Sequence, residues 1–586
     1  MPCAEGYAGR MTIPSPSTTP LPSTKRIGRT RLATHASRAV LLASLLSACG
    51  GGGGGSSPPV VPPPVVIAPL AVRVSPATPV AAGCNGGRSS GTTFADAEVE
   101  PFVAVSPINA NHLLGTWQQD RASDGGARAL VSAVSFDAGR TWAQTLHPMS
   151  RCGGALTGSV GDQERASDPW VDIGADGTAY MMGLVFSGSA LVAGSDNAMV
   201  VSRSIDGGRT WGQPVSLQRD GALGFNDKNS LTADPTDARF VYAVWDRLEP
   251  SGQGPTLLAR SSNAGLSWEP TRAIYSPTVL AGVSQTIGNR IVVLTDGAER
   301  GTLVNVFVQI DTAGGTSTTT LRAIRSTDKG LTWGSPMTIA DHRSVGTRDP
   351  ETGAPVRDGA IVPNVVAGVG GMLWVAWQDA RFSGGQRDAI AVSRSSDGGR
   401  SWSAPLAVNK DASVAAFIPT LYVRADGLVG LMHHDLRSNT ADASTLLADL
   451  WLLTSRDGQS WTETAVARAF DLNLAPRVNA GLFVGDYQGL VASGNTFIPF
   501  AALPGTSAAN RTDVLAFRMD AIAAGLKQPQ SVAAAHRARD AVAAAAIPGA
   551  LSDAAFAQAR SQAIQRTMES HIPGWRRLVK ADPLTP

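Results

Sequence analysis

Six copies of one turn sequence run through the middle of this 586-residue chain. Ser135-Phe136-Asp137-Ala138-Gly139-Arg140-Thr141-Trp142 recurs at Ser204 to Trp211, Ser261 to Trp268, Ser326 to Trp333 and Ser395 to Trp402. A copy one residue shorter runs from Ser455 to Trp461. Intervals of 57 to 69 residues mark a repeated supersecondary unit. The Asp of the motif (Asn263 in the third copy) can accept nearby backbone N–H groups, and its Gly supplies a left-handed position. The Trp offers an apolar face that folds back on a sheet. These acids therefore read as turn formers between strands, not as catalysts.

Short alternating strands surround each copy. Phe102 to Ser106 and Leu113 to Trp117 precede the first, and Val365 to Gly368 and Leu373 to Trp377 precede the fifth. A third strand runs into the motif, as in Ala198 to Ser204, and a fourth follows its Trp, as in Pro214 to Leu217. Four strands per repeated unit predict an all-β fold, a β-propeller of antiparallel blades over residues 70–525. First strands starting near Glu100, Asp168, Lys228, Gln285, Asn364, Thr420 and Tyr487 make seven blades, with six as the alternative. The seventh lacks the turn motif, and its fourth strand is expected from Leu70 to Ser75, closing the ring and leaving no free edge. Residues 526–586 are alanine-rich and read as a helical tail, with helices at Ser531 to Ala546 and Ser552 to Glu569 divided at Pro548-Gly549.

The N-terminus reads as an address. Lys25, Arg26, Arg29, Arg31 and Arg38 precede a short apolar run, Ala39 to Leu46, that is too brief to span a bilayer. Leu46-Ser47-Ala48-Cys49 resembles the lipobox of bacterial lipoproteins, which implies a signal peptide over 1–48 and a lipidated Cys49. Residues 49–69, six glycines and then a Pro/Val stretch, form a tether. The expected location is the bacterial cell envelope, lipid-anchored at the outer membrane. In that oxidising setting the two remaining cysteines, Cys84 and Cys152, most simply pair with each other. Without the first 48 residues the chain carries 43 basic and 46 acidic side chains, so a nucleic-acid partner is not expected.

Strand alternation puts second-strand ends and first-strand starts on one face of the ring and the turn motifs on the other. Asp120-Arg121, Asp246-Arg247, Asp379-Ala380-Arg381 and Asp435-Leu436-Arg437 end second strands, while Asp168, Asp227-Lys228 and Asp486 start first strands. The mouth should therefore hold carboxylates and arginines and suit a polar, sugar-like ligand. A repeated structural Asp–Arg pair accounts for the same pattern. No metal or other cofactor is expected: HExxH and CxxC are absent, and His433 and His434, adjacent on a strand, face opposite ways.

The repeated Ser-x-Asp-x-Gly-x-Thr-Trp motif resembles the Asp-box, or BNR repeat, of the sialidase (neuraminidase) superfamily, over roughly residues 95 to 520. The resemblance implies an exo-acting glycoside hydrolase on sialic-acid-type or related acidic glycans. Such an enzyme uses an Asp as acid/base, a Tyr nucleophile and arginines that grip the substrate carboxylate. By position it implies Asp124 as acid/base and Tyr487 as nucleophile, with Arg121, Arg247, Arg381, Arg437 and Asp486 binding substrate. At the place of the family's first arginine this chain reads Glu100-Pro101-Phe102. That carboxylate, and the lack of an identifiable Glu partner for Tyr487, keep a second reading open. It is a non-catalytic, monomeric propeller that binds a glycan, peptide or cell-envelope partner at the same mouth.

Overall fold

A computed structural model describes residues 70–88, 90–507, 509–519, 549–571 and 575. The signal, Cys49, the tether and the expected helix from Ser531 to Ala546 lie outside the described residues. Apart from a small three-stranded sheet built from two loops, the strands form antiparallel four-stranded meanders, sheets I to VII, of which I and II are joined by one bridge between Ala127 and Ala166. Their first strands are Val99–Ser106, Arg165–Ile173, Phe225–Ala233, Gly282–Val293, Asn364–Ala367, Ala416–Val423 and Gly489–Ser493. Each first strand touches the next in this order, and that of sheet VII touches that of sheet I. Leu70–Arg73 supplies the outer strand of sheet VII, pairing antiparallel from Leu70 with Arg518 to Arg73 with Leu515. The first and last strands of the domain thus close the circle.

In each copy the Asp or Asn side chain accepts backbone N–H groups of its own turn, while the indole N–H bonds the turn only in the first, fourth and sixth. In the first, Asp137 Oδ1 accepts the backbone N–H of Arg140 and Thr141 at 3.0 and 2.9 Å, and Oδ2 accepts the Thr141 hydroxyl at 2.6 Å. The Trp142 indole N–H reaches Gly139 O at 3.1 Å, and its ring lies 5.5 Å from Phe500 of sheet VII. The motif therefore ends a hairpin and also packs it on a neighbouring sheet. In the second copy, hydrogen bonds from Thr210 hold Asp206 down to about 2, the state of an acid committed to its turn.

Between sheets the core is apolar and close-packed: Leu130, Met182, Val200 and Trp245, from three sheets, share one cluster. Trp117, Trp245 and Trp377 are fully buried on second strands. Each indole N–H still finds an acceptor, respectively Gln119, Asn226 and Asp379, at 2.8–2.9 Å. Cys84 and Cys152 are joined by a disulfide, with Cα atoms 5.8 Å apart.

The helix Asp553–His571 lies on the first-strand-start face of sheets IV and V. Ser561 Oγ accepts the Ser317 N–H at 3.0 Å, Gln565 donates to Gly315 O at 3.2 Å, and Arg560 donates to His342 O at 2.9 Å. Ile564 and Met568 enter the core of those sheets. No helix among the described residues is long and apolar enough to cross a membrane.

His433 and His434 do face apart. His433 Nε2 lies 3.9 Å from Glu463, whereas the His434 ring stacks on Phe417 at 5.3 Å with both ring nitrogens unpartnered. Burial, and then His433, hold His434 down to about 3. The unfolded chain therefore binds a proton below about pH 6.5 that the folded one refuses, and stability is lost as pH falls through that window. His434→Phe keeps the stack and removes both orphan nitrogens. It should raise the free energy of unfolding by about 1 kcal/mol at pH 8 and about 3 kcal/mol at pH 5. Urea melts at the two pH values check this; an equal effect at both would refute the protonation argument.

Candidate functional site

Where the first strands of sheets I, II and III begin, each ladder skips register: between Val99 and Phe102, Ser167 and Trp170, and Asp227 and Ser230. The residue at each bulge adopts a left-handed conformation: Glu100 at φ 53°, Asp168 at 50° and Lys228 at 46°. For a side chain with a Cβ this costs on the order of 1–3 kcal/mol, and the same bulge recurs in sheets IV and VI at Gly288 and Ile418, so it belongs to the repeat. The bulges turn all three side chains toward one point. Lys228 Nζ lies 2.6 Å from Asp486 Oδ2, 3.1 Å from Glu100 Oε1 and 3.4 Å from Asp168 Oδ1.

A second element reaches this point from outside the repeats. In the loop between sheets IV and V, Val356–Arg357 pairs parallel with Gly481–Phe483 from the loop between sheets VI and VII. Arg357 grips Asp486 with two nitrogens, Nε at 2.9 Å from Oδ1 and Nη2 on Oδ2. Its guanidinium lies over the Phe483 ring at 4.5 Å, and that of Arg121 at 4.9 Å. The approach is close enough to require Gly359 (φ 61°), where a Cβ would sit 2.0 Å from the Asp486 carbonyl oxygen.

All these groups are buried, at 9% exposure or less, so their charge states depend on one another. Burial raises Glu100 to about 7, against the opposing pull of Lys228 and with Asp168 and Asp486 adding to the rise. Burial also acts on Asp168, but Lys228 and hydrogen bonds from Asp227 and Glu100 outweigh it and hold Asp168 down to about 2. Burial followed by the charge of Asp168 pushes Asp227 well up, and Asp246, beside Asp227, rises likewise. For Lys228, burial opposes the charge, yet Asp168, Asp486 and Glu100 keep the ammonium protonated. Arg357 and Asp486 line a cavity of about 490 Å³ that Arg566, Thr567 and Glu569 of the C-terminal helix also line. Asp168, Asp227, Lys228, Arg121 and Arg357 line a smaller one of about 70 Å³.

Of the residues expected from sequence, the structure brings Asp486, Tyr487 and Arg121 to this cluster. The Tyr487 hydroxyl donates to Pro169 O at 3.1 Å, and its ring packs edge-on against Trp170 at 5.4 Å. Burial, with Glu100, Asp168 and Asp486 adding to it, pushes that phenol well up. Arg121 Nη1 donates to Gln118 Oε1 at 2.5 Å, its Nε has no partner, and burial, then Arg357, lower it to about 10. Asp124 stands at the rim of the smaller cavity, paired with Arg88 and, at 3.3 Å, with Arg165.

The other three arginines are held away from the cluster. Arg247 pairs with Asp220 of sheet II at 3.0 Å and with Glu249 at 2.7 Å. Arg381 pairs with Asp379 at 2.8 Å, and Arg437 with Asp435 and, at 2.7 Å, Glu463. Sequence reasoning placed Asp168 and Lys228 among the charges of the mouth without individual roles, read Glu100 as a departure from the family that speaks against catalysis, and did not mark Arg357 at all. The signal for two of them was an acid directly before proline at a first-strand start, Glu100-Pro101 and Asp168-Pro169.

No protein-family model matches the chain, and no curated protein matches it. Solved structures similar to it include a Hadza microbial sialidase, at 17% identity over 57% of this chain and 63% of that one, TM-score 0.35. Penicillium chrysogenum alpha-L-arabinanase complexed with arabinobiose is 14% identical over 62% and 94%, TM-score 0.37. The leech intramolecular trans-sialidase is 13% identical over 74% and 70%, TM-score 0.36. The match spans less than two thirds of the first of these. All three TM-scores lie below 0.5, and neither a fold nor a residue role is carried across from these structures.

Proposed function

We propose that the chain is an exported, Cys49-anchored, seven-bladed propeller that hydrolyses a glycosidic bond at the mouth of its ring. The observation that carries this reading is the split carboxyl pair around Lys228: Glu100 keeps its proton up to about pH 7 while Asp168 gives its up near 2. A neutral acid and an ionised carboxylate are the two charge states that glycoside cleavage uses; here the two carboxyls share a hydrogen bond, so a sugar bound between them must first part them. Glu100 protonates the departing oxygen, and the Asp168 carboxylate faces the positive charge that develops on the sugar ring. Arg121 makes no ion pair among the described residues, which favours a terminal sugar carrying a carboxylate, sialic-acid-type or related.

A panel of fluorogenic glycosides of sialic acid, uronic acids and arabinose tests this. Glu100→Gln should lower kcat about 100-fold or more. The wild-type rate should fall as pH rises through about 7, when Glu100 loses its proton. Tyr487→Phe should leave most of the rate. If Asp124 is instead the acid/base and Tyr487 the nucleophile, Tyr487→Phe abolishes turnover and Glu100→Gln does not.

The Tyr487 hydroxyl bound to a backbone carbonyl and the helix beside the larger cavity favour a second reading, a binding propeller without turnover. That reading stands if a glycan array shows binding that survives Glu100→Gln while no glycoside of the panel is cleaved.

A further inference from the structure

Away from the central cluster, Asp96, Glu98 and Asp120 each bring one carboxylate oxygen to within 4.8 Å of the others. Asp96 and Glu98 lead into the first strand of sheet I, and Asp120 stands near the end of its second, Asn109–Arg121. Thr78, on the segment that follows the ring-closing strand, is tied to both aspartates. Its N–H donates to Asp96 Oδ1 at 2.8 Å, and its hydroxyl to Asp120 Oδ2 at 2.9 Å. Asp96 and Asp120 both hold left-handed backbone conformations, at φ 49° and 61°.

Glu98 supplies the observation that points to a ligand. The residue is 1% exposed. Its Oε1 accepts the Gln119 amide at 2.6 Å, and the same amide nitrogen reaches Asp120 Oδ1 at 3.1 Å, so this carboxyl faces Asp120. Its Oε2 is buried with no hydrogen-bond partner. An orphaned buried carboxylate oxygen among further acids calls for a compensating positive charge. Among the described residues the only ion pair these three acids make is Arg128 to Asp120, at 3.4 Å.

We propose that Asp96, Glu98 and Asp120 form a calcium site that fastens the closure of the ring. The donor set is all oxygen, with no His or Cys, which selects a hard cation. Calcium takes carboxylate and water oxygens in flexible geometry, whereas magnesium demands near-ideal octahedral geometry and gives up its waters reluctantly, so a buried group of three carboxylates suits calcium better. Asp96 is half-exposed, which leaves an open side through which the ion enters and water completes its shell. Bound there, the ion links the segment after the closing strand to the first two strands of sheet I. It binds the folded chain and not the unfolded one, so its stabilisation grows with the logarithm of its concentration above the dissociation constant.

The test is a thermal melt and calorimetric titration of the full chain, stripped with EDTA and then given CaCl2 or MgCl2. Calcium should raise Tm saturably, with a dissociation constant on the order of 10⁻⁴ M as in extracellular modules, and magnesium should do much less. Glu98→Gln should fold and lose at least tenfold in calcium affinity. Asp96→Asn, at the half-exposed position, makes the same test should Glu98→Gln fail to fold. Equal Tm in EDTA and calcium with no binding heat would overturn the site, as would a calcium response undiminished in both variants or matched by magnesium.

Discussion

Lys228→Met should destabilise the protein by about 4 kcal/mol at pH 8, the largest effect of any single charge change in the molecule. Its ammonium stands within 3.4 Å of three carboxylates, and removing one partner of a buried ion cluster typically costs ~3–5 kcal/mol. Arg357 still neutralises Asp486 in the variant, but Glu100 and Asp168 are left buried without a counter-charge. The sign of the pH dependence follows. Without Lys228 both folded-state pKa values rise, Glu100 from an already raised value and Asp168 from a depressed one, so the folded protein holds protons that the unfolded one releases above about pH 4. The deficit is therefore small at pH 4–5 and grows toward pH 8. Guanidinium melts of the wild type and of Lys228→Met at both pH values measure it. In the Lys228→Met background, Glu100→Gln should restore part of the loss, because it removes one of the stranded charges. A Lys228→Met protein as stable at pH 8 as the wild type would mean that the cluster is hydrated, and the split carboxyl pair would lose its physical basis.

Breaking the Cys84–Cys152 bond should cost a similar amount. The bridge closes a loop of 68 residues, for which the chain-entropy relation gives about 4 kcal/mol. The bond ties the segment between the closing strand and sheet I to the loop after the outer strand of sheet I. Local order is at stake as well as global stability. Cys84→Ser/Cys152→Ser, or the wild type in reducing agent, should unfold at lower guanidinium concentration, and proteolysis should begin within residues 74–98. A denaturation midpoint unmoved by reduction would show that apolar packing around Cys152, with Val80 and Ala129, suffices by itself.

The parts legible in the sequence were those written locally and repeated. Each Asp-box hairpin is decided within eight residues, because Asp137 bonds its own turn and Trp142 bonds Gly139. The closing role of Leu70 to Ser75 could be read because a unit short of one strand must find it elsewhere. Asp486 and Tyr487 could be placed at the mouth because strand direction alternates. The arginines were harder. In Asp379-Ala380-Arg381 and Asp435-Leu436-Arg437 the spacing of two lets each guanidinium turn back on its own aspartate. The same letters, read as a pattern, are equally compatible with an arginine pointing into the mouth. Nothing local distinguishes the two.

What the sequence by itself determined is the repeat: its turn chemistry, strand periodicity and the order of its sheets, all set by interactions spanning a few residues. Only the tertiary structure decided which charges meet. Lys228 lies 128 residues from Glu100 and 258 from Asp486, and Arg357 arrives from a loop outside the repeats. Coulomb interactions at this centre depend on distances that only the closed ring sets, and the same closure removes the water that would otherwise screen them.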